Sequence, residues 1–310
     1  MDVTMNLVIY WSGVDIAFVK IERKKGTRVL YIKHHKNWST DRSYVKNFFH
    51  HISLNSKIYL EILFAGNVKI FGTNAIRIFA PVILMKKNVK VVFNEVPSNK
   101  FPINLLDKLI MTKLKTYVSS EARRKYFLQT YKCDADILQN VTFLSYPEIS
   151  IRRGNKKAVY MGLLHKKRFS DFEQKSLLKW LVQNNYTLDV YGKKIGDFEF
   201  LSHDSVKFFE SVPHKEVAGI LKSYSVGIVS YYREDINNEL CAPLKTFDYI
   251  GAGLKVLSVN KNVGMCELSE QYPALFNVLG DDFILDNAQY LEQRIQYLDK
   301  AIATNIDFAD

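Results

Sequence analysis

Cysteine is scarce in this chain. Cys133, Cys241 and Cys266 are the three in 310 residues, an odd number at spacings that match no metal-ligand pattern, so reduced thiols are expected rather than a disulfide framework or a structural zinc site. Long apolar runs are also missing: Asp15 interrupts the first apolar stretch, and the most apolar later segment, Ile76 to Met85, is short and contains Arg77 and Pro81. With Asp2 where a secretory leader would carry basic residues, neither a signal peptide nor a spanning helix is expected. No G-x-G-x-x-G follows the first strand, which removes the dinucleotide fingerprint. A soluble, cytoplasmic protein is the expectation that these absences leave.

Apolar residues make up 47% of the chain, enough for proper cores in two ordinary domains. Net charge is +11 and unevenly spread: residues 1–150 hold 23 Lys and Arg against 11 Asp and Glu, residues 151–310 hold 20 against 21. A basic first half points to an anionic partner such as a membrane leaflet or a nucleic acid, although a lysine-rich background composition gives the same asymmetry.

Apolar runs and amphipathic stretches alternate throughout. In the first half, strands are expected at Asn6 to Trp11, Arg28 to Lys33, Val89 to Phe93, Tyr117 to Ser119 and Ala135 to Leu138. Helices are expected at Val14 to Lys24, Arg42 to Ile52, Asn74 to Lys87, Ile103 to Leu114 and Glu121 to Tyr131. Ser56 to Gly72 is ambiguous: Ile58 to Phe64 and Val68 to Phe71 read equally as strands or as the extension of a helix. Asn94 and Glu95 fall at the C-terminal end of a strand, the edge where open α/β sheets bind ligands. Asp134 and Asp136 have the D-x-D form of some metal-bound sugar nucleotide sites, but two carboxylates in a turn need no function. No metal is expected.

A polar, basic stretch from Pro147 to Lys157 marks a boundary between domains 1–148 and 149–310, with the last helix able to return towards the first domain. Beyond it, strands are expected at Ala158 to Leu164, Thr187 to Tyr191, Val206 to Val212, Val226 to Tyr231, Leu254 to Val259 and Ala274 to Leu279. Helices are expected at Asp171 to Gln183, His214 to Tyr224, Pro243 to Gly253 and Ala288 to about Ala303. Strands alternating with helices imply a parallel sheet covered on both faces.

Two stretches of this half suit an anion. Gly162 ends the first strand and is followed by His165, Lys166, Lys167 and Arg168. Pro243 begins a helix that carries Lys245, Asp248 and Tyr249 on one face, so free N–H groups, a positive dipole end and a cation meet there. Lysine and arginine would hold a diphosphate, Asp248 would accept from a sugar diol, and the strand ends at Tyr191-Gly192 and Val212-Pro213 would hold a flat base. A basic loop and a solvated helix face are the ordinary alternatives.

YMGLLHKKR at 160–168, LDVYGK at 188–193, VKFFESVPHKEVAGILKSYSVGIVSYY at 206–232 and PLKTFDYIGAGLKVLSVN at 243–260 resemble, in order and spacing, the nucleotide-binding domain of GT-B glycosyltransferases, particularly the glycogen-synthase-like group that builds bacterial surface polysaccharides. VSSEARRKYFLQTYKCDADILQN at 118–140 is similar to the segment closing the family's first domain. The resemblance implies two Rossmann-like, doubly wound domains facing each other across a cleft. By it, Gly162, Lys166, Lys167 or Arg168, and Lys245 hold the donor diphosphate, Asp248 the ribose, and the backbone at Val212 and Pro213 the base. Many retaining members carry two glutamates eight residues apart; here Asp248 takes the later place and Leu240 the earlier, with Glu239 one residue off.

The activity implied is metal-independent transfer of a hexosyl group from a nucleotide diphosphate sugar, a uridine diphosphate sugar being favoured, to a glycan or lipid-linked acceptor in surface polysaccharide synthesis. No cofactor beyond the donor and no nucleic acid are expected; peripheral contact of the basic first domain with the anionic inner face of the cell membrane is. An inverting enzyme needs a base for the acceptor hydroxyl. Glu95 leads, Asp15 follows, and the pair His34 and His35 comes third. A nucleotide-sugar 2-epimerase of the same architecture is the nearest alternative, and a non-catalytic basic anion-binding protein a more distant one.

Overall fold

Short apolar runs bounded by glycine, serine or asparagine can bury both faces only by pairing in parallel beneath helices, and that arrangement is built twice. The computed structural model describes residues 6–11, 27–32, 52–97, 102–139, 155–231, 235–280 and 287–309. The chain forms two compact units, Met1–Gln139 with Thr304–Asp310, and Asn140–Ala303.

In the first unit the described elements run β1 (Asn6–Trp11), β2 (Arg28–Ile32), α1 (Ser56–Phe64), β3 (Asn67–Phe71), α2 (Thr73–Ile83), β4 (Val89–Phe93), α3 (Ile103–Lys113), β5 (Lys115–Val118), α4 (Glu121–Tyr131) and β6 (Asp136–Ile137). All six strands are parallel, in the order β2-β1-β3-β4-β5-β6. Alternate residues serve opposite faces. Leu7, Ile9, Ile70 and Phe93 meet Ile76, Phe79 and Ile83 of α2 on one side. Val8, Tyr10, Phe71, Val92 and Tyr117 gather around Phe308 on the other.

Of the stretch that read as strand or helix, Ile58 to Phe64 is helical, in α1, and Val68 to Phe71 is strand, in β3. Ile58 and Ile62, one turn apart, are the buried residues of α1, and Glu61 pairs with Arg28 at 2.9 Å. Between α2 and α3 a buried ion pair closes twice, from Arg77 Nε and Nη2 to the two oxygens of Asp107 at 2.9 and 2.6 Å. The expected helix 14–24, almost all of the helix 42–52, most of the linker 147–157, and Asp15, His34 and His35 lie outside the described residues.

The second unit contains β7 (Lys157–Met161), β8 (Leu164–His165), α5 (Asp171–Gln183), β9 (Thr187–Tyr191), β10 (Lys194–Ile195), β11 (Val206–Phe209), α6 (His214–Leu221), β12 (Val226–Val229), α7 (Ile236–Glu239), α8 (Leu244–Gly251), β13 (Lys255–Ser258), α9 (Val263–Gln271), β14 (Phe276–Val278) and the start of α10 (Asn287–Ala309). Its main sheet is again wholly parallel, in the order β11-β9-β7-β12-β13-β14. This is the Rossmann order, which reverses direction between β7 and β12.

Several bounds differ from the sequence reading, for local reasons. The expected strand 158–164 breaks at Gly162, whose φ of +133° leaves the extended region, and resumes as β8 paired to β10 in a separate small sheet. The apolar residues after Phe209 and Val229 leave the ladder at the sheet edge. The helices α7 and α9 were not foreseen. Asn262 caps α9 by accepting from Met265 N–H at 2.7 Å, and the Glu239 carboxylate accepts from Val263 N–H at 3.2 Å.

Candidate functional site

The C-terminal ends of β7 and β12 flank the point where strand order reverses, the place in an open α/β sheet where the chain leaves a crevice. Four features meet there: the Met161-Gly162 turn, the loop to Arg168, Ser230-Tyr231, and the first turn of α8.

Helix α8 is fixed at both ends. Pro243 stands at its N-cap, its carbonyl accepting from Thr246 N–H at 3.0 Å and from Thr246 Oγ1 at 2.6 Å. At the other end Arg294 of α10 donates to the Ile250 and Gly251 carbonyls, both at 2.9 Å, a cation where the helix dipole is negative. Two residues of one α8 face then grip the end of β7. Lys245 Nζ donates to Met161 O at 2.8 Å, and Tyr249 OH accepts from Met161 N–H at 3.0 Å. The i, i+4 spacing of lysine and tyrosine therefore works as a clamp on the two peptide groups that flank one residue, Met161.

Lys245 is enclosed by aromatic rings, its ammonium 4.6 Å from the Tyr160 ring centre and 5.7 Å from that of Tyr231. Burial pushes its ammonium down to about 7, the nearby Arg168 cation pushes the same way, and Cys241 and Asp248 oppose both. The Arg168 guanidinium itself lies 5.5 Å from the Tyr231 ring centre. Two cations, from loop and helix, thus share one cluster. Burial raises Tyr160 and Tyr231, so both hydroxyls stay neutral at ordinary pH. Asp248 is 7% exposed and within electrostatic reach of Lys245, Tyr249 and Tyr297.

Gly162 and Gly192 let two strand ends close together. Gly162 N–H donates to Tyr191 O at 2.9 Å, Gly192 N–H to Phe209 O at 3.1 Å. A methyl group on Gly192 would stand 1.9 Å from the Gly162 carbonyl oxygen, and one on Gly162 would stand 3.2 Å from Lys245 Nζ. Tyr191 stacks on Phe209 at 4.8 Å, and its hydroxyl meets that of Tyr224 at 3.2 Å, which in turn donates to Asp189 at 2.6 Å.

The structure accordingly gathers Gly162, Arg168, Lys245 and Asp248, and sets Tyr191 and Gly192 beside Gly162 on the next strand. His165 belongs to the β8–β10 pair and accepts from Lys167 N–H at 3.1 Å, while Lys166 lies along Gly196. Pro213 caps α6, with Val212 half-buried before it. Glu239 is engaged at the start of α9, and Leu240 is buried. In the first unit, Glu95 is exposed in the turn after β4; Thr73 Oγ1 bridges its N–H and C=O at 3.3 Å each, and Arg123 donates to the Asn94 carbonyl. Asp134 accepts from Arg124 and Asp136 pairs with Lys115, an ordinary solvated use of the D-x-D.

Asn260 is the site residue that sequence reading missed. Only 1% exposed, it accepts from Tyr231 N–H at 2.8 Å and donates to Glu173 at 2.8 Å and to Arg168 O at 3.4 Å. Glu173 also closes a capping box with Ser170. The amide thus binds the ends of β12 and β13 to the cationic loop. An asparagine after a buried strand was its one sequence signal.

No protein-family model matches the sequence, and no curated protein matches it. Solved structures do. The chain is similar to WaaG, a glycosyltransferase involved in lipopolysaccharide biosynthesis, at 10% identity over 99% of both chains with a TM-score of 0.60. It is similar to sucrose-phosphate synthase from Thermosynechococcus elongatus at 14% identity, covering 97% of this chain and 91% of that one, with a TM-score of 0.60. UDP-GlcNAc 2-epimerase from Methanocaldococcus jannaschii matches at 10% identity over 93% and 91%, with a TM-score of 0.54. The chain spans about half (53%) of the length of two others, a chain of the GtfA/B complex and S. aureus TarM. At these identities the likeness establishes the fold, two Rossmann-like domains of the GT-B class.

Proposed function

We propose that the protein is a glycosyltransferase that moves a sugar from a nucleotide diphosphate sugar to a glycan or lipid-linked acceptor. The single observation that carries this reading is the meeting of Lys245 and Arg168 at the reversal point of a Rossmann-ordered sheet. An ammonium already depressed by burial and by a second cation gains most from an arriving anion, and a diphosphate supplies one. The acceptor oxygen forms a bond to the anomeric carbon as the bond to the diphosphate breaks, and the departing oxygen carries its charge away against Lys245 and Arg168. Lys166 and Lys167 add exposed charge to the loop, Asp248 is assigned to the ribose hydroxyls, and the backbone from Val212 to Pro213 to the base. Glu95 is assigned as the base, should the reaction invert. The basic first half would face an anionic membrane.

The epimerase reading has its own support in the fold shared with the archaeal UDP-GlcNAc 2-epimerase. Incubating the protein with a donor alone, then with donor and a lipid-linked acceptor, separates the two. An epimerised donor without acceptor would replace the transferase reading. Thermal shift across uridine, guanosine, thymidine and cytidine diphosphates identifies the base; a shift with none of them would end both readings.

A further inference from the structure

The cationic run after Gly162 is divided by exposure: Lys166 and Lys167 are exposed, and Arg168 is half-buried near Lys245. Charge alone does not select among three cations in a row; the backbone of Arg168 does. Its carbonyl accepts from Ser230 Oγ and from Asn260 Nδ2, the latter at 3.4 Å, and its N–H donates to His165 O at 2.8 Å. The next residue, Phe169, is 1% exposed, with its ring 5.1 Å from that of Tyr160 and 5.8 Å from that of Phe200. With the peptide held on both sides, the guanidinium leaves the backbone in one direction, over Tyr231 and within hydrogen-bonding reach of the Tyr160 hydroxyl.

Asn260 is the centre of that hold. Its Oδ1 accepts from Tyr231 N–H at 2.8 Å and from Ser230 Oγ at 3.4 Å, which turns Nδ2 towards Glu173 and the Arg168 carbonyl. Its own carbonyl accepts from Ser258 Oγ at 2.8 Å. Glu173 Oε1 accepts from the Asn260 amide and Oε2 from Ser170 N–H at 2.7 Å, so both carboxylate oxygens are engaged. Tyr231 is also the ring near which Arg168 and Lys245 both lie. One amide therefore fixes the ring and the backbone of the cation that rests on it, and its own burial keeps it from a ligand.

We propose that Asn260, with Glu173 behind it, is a positioning residue for the donor diphosphate: it holds the Arg168 guanidinium against Tyr231 and beside Lys245 and touches no donor atom. The inference deepens the donor-site reading of this cluster and rests on it. Without the tie, Arg168 would share the exposure of the two lysines before it, and one of the two converging cations would be lost to solvent. Lys245 is faced by Arg168, Cys241 and Asp248 and by the rings of Tyr160 and Tyr231; after burial, Arg168 is the group that pushes its ammonium down. A retreat of Arg168 is therefore readable as a rise in the Lys245 midpoint, in the chain with nothing bound.

Two readouts on the full chain test it: NMR titration of isotope-labelled lysine in the unliganded protein, assigned with Lys245→Gln, and calorimetric affinity for inorganic pyrophosphate, which reports the cations without the base. Affinity is compared at about pH 6, where Lys245 carries its charge in every variant. Asn260→Ala and Glu173→Ala should each raise the Lys245 midpoint from about 7 and weaken pyrophosphate roughly 3- to 30-fold, part of the worth of one charge-assisted hydrogen bond. Loss of the Glu173 charge alone would move that midpoint down, so a rise reports the movement of Arg168. Arg168→Gln should do both at least as strongly, and Asn260→Ala added to it should change neither further. Ser170→Ala breaks the same helix cap from its other side; it should lower the melting temperature as Glu173→Ala does and leave both readouts unmoved. Should Asn260→Ala not fold, Glu173→Ala carries the test from the other end of the hydrogen bond. Wild-type values in both readouts, an Asn260→Ala effect just as large in the Arg168→Gln background, or a Ser170→Ala effect equal to that of Glu173→Ala would overturn the proposal. A wild-type chain that binds neither pyrophosphate nor any nucleoside diphosphate would end the donor-site reading, and the Lys245 midpoints would still decide whether Asn260 positions Arg168.

Discussion

Lys245 shows how one side chain can carry both stability and binding. Its ammonium is held at about 7 against an ordinary 10.5, so the folded protein disfavours the charged form. That cost is fully present below about 7 and disappears as pH rises towards 10.5. The unliganded protein should therefore gain stability over that window, read by melts against pH. A bound diphosphate reverses the shift. At about pH 8.5 binding should take up close to one proton per site, visible in calorimetry as a dependence of enthalpy on the buffer's ionisation heat. Lys245→Ala should weaken nucleoside diphosphate binding by roughly 10- to 100-fold, the worth of one charge-assisted hydrogen bond, with the melting temperature shifted by only a few degrees. Unchanged affinity would remove Lys245 from the donor site. Glu95→Gln should lower turnover far more than donor affinity if Glu95 is the base, and equal turnover would strip it of that role.

At the scale of elements, α8 is the piece on which the candidate site depends. It is short, and its position is imposed from outside by Arg294 and Tyr297 of α10 and from below by Gly227 of β12. A methyl group on Gly227 would stand 2.2 Å from Tyr249 Cδ2. Gly227→Ala must push Tyr249 off Met161 and should cost about 1–3 kcal/mol in denaturant titration, with donor affinity falling in parallel. Neither contact is visible in the local sequence, although the helix itself is. PLKTFDYIGAG announces a proline start, a glycine stop and an apolar face, and the observed helix runs Leu244–Gly251. Helices Asp171–Gln183 and Glu121–Tyr131 likewise fall where their caps and periodicity place them. Strand ends were less legible, because an apolar residue after a strand looks the same whether it continues the ladder or turns into a buried loop.

At the scale of the molecule, Phe308 illustrates a dependence that distance along the chain conceals. Fully buried, it lies 5.4 Å from the Phe71 ring and 4.5 Å from that of Tyr117, far from either in sequence. Phe308→Ala should destabilise the first unit by about 3–5 kcal/mol. Donor binding by the second unit should persist at low temperature, and an unchanged melting profile would show that the ring contributes no such support.

The sequence by itself determined the alternation of strands and helices, the parallel pairing, the split into a basic and a near-neutral half, and the residue types able to hold an anion. These follow from local periodicity, caps and charge, which need no distant partner. Only the tertiary structure decided which cations meet. Arg168 joins Lys245 while Lys166 lies along Gly196, Glu239 is diverted to the start of α9, and Asn260 becomes the tie among three elements. Convergence depends on strand order and on the close approach of backbones, and neither leaves a mark on neighbouring residues.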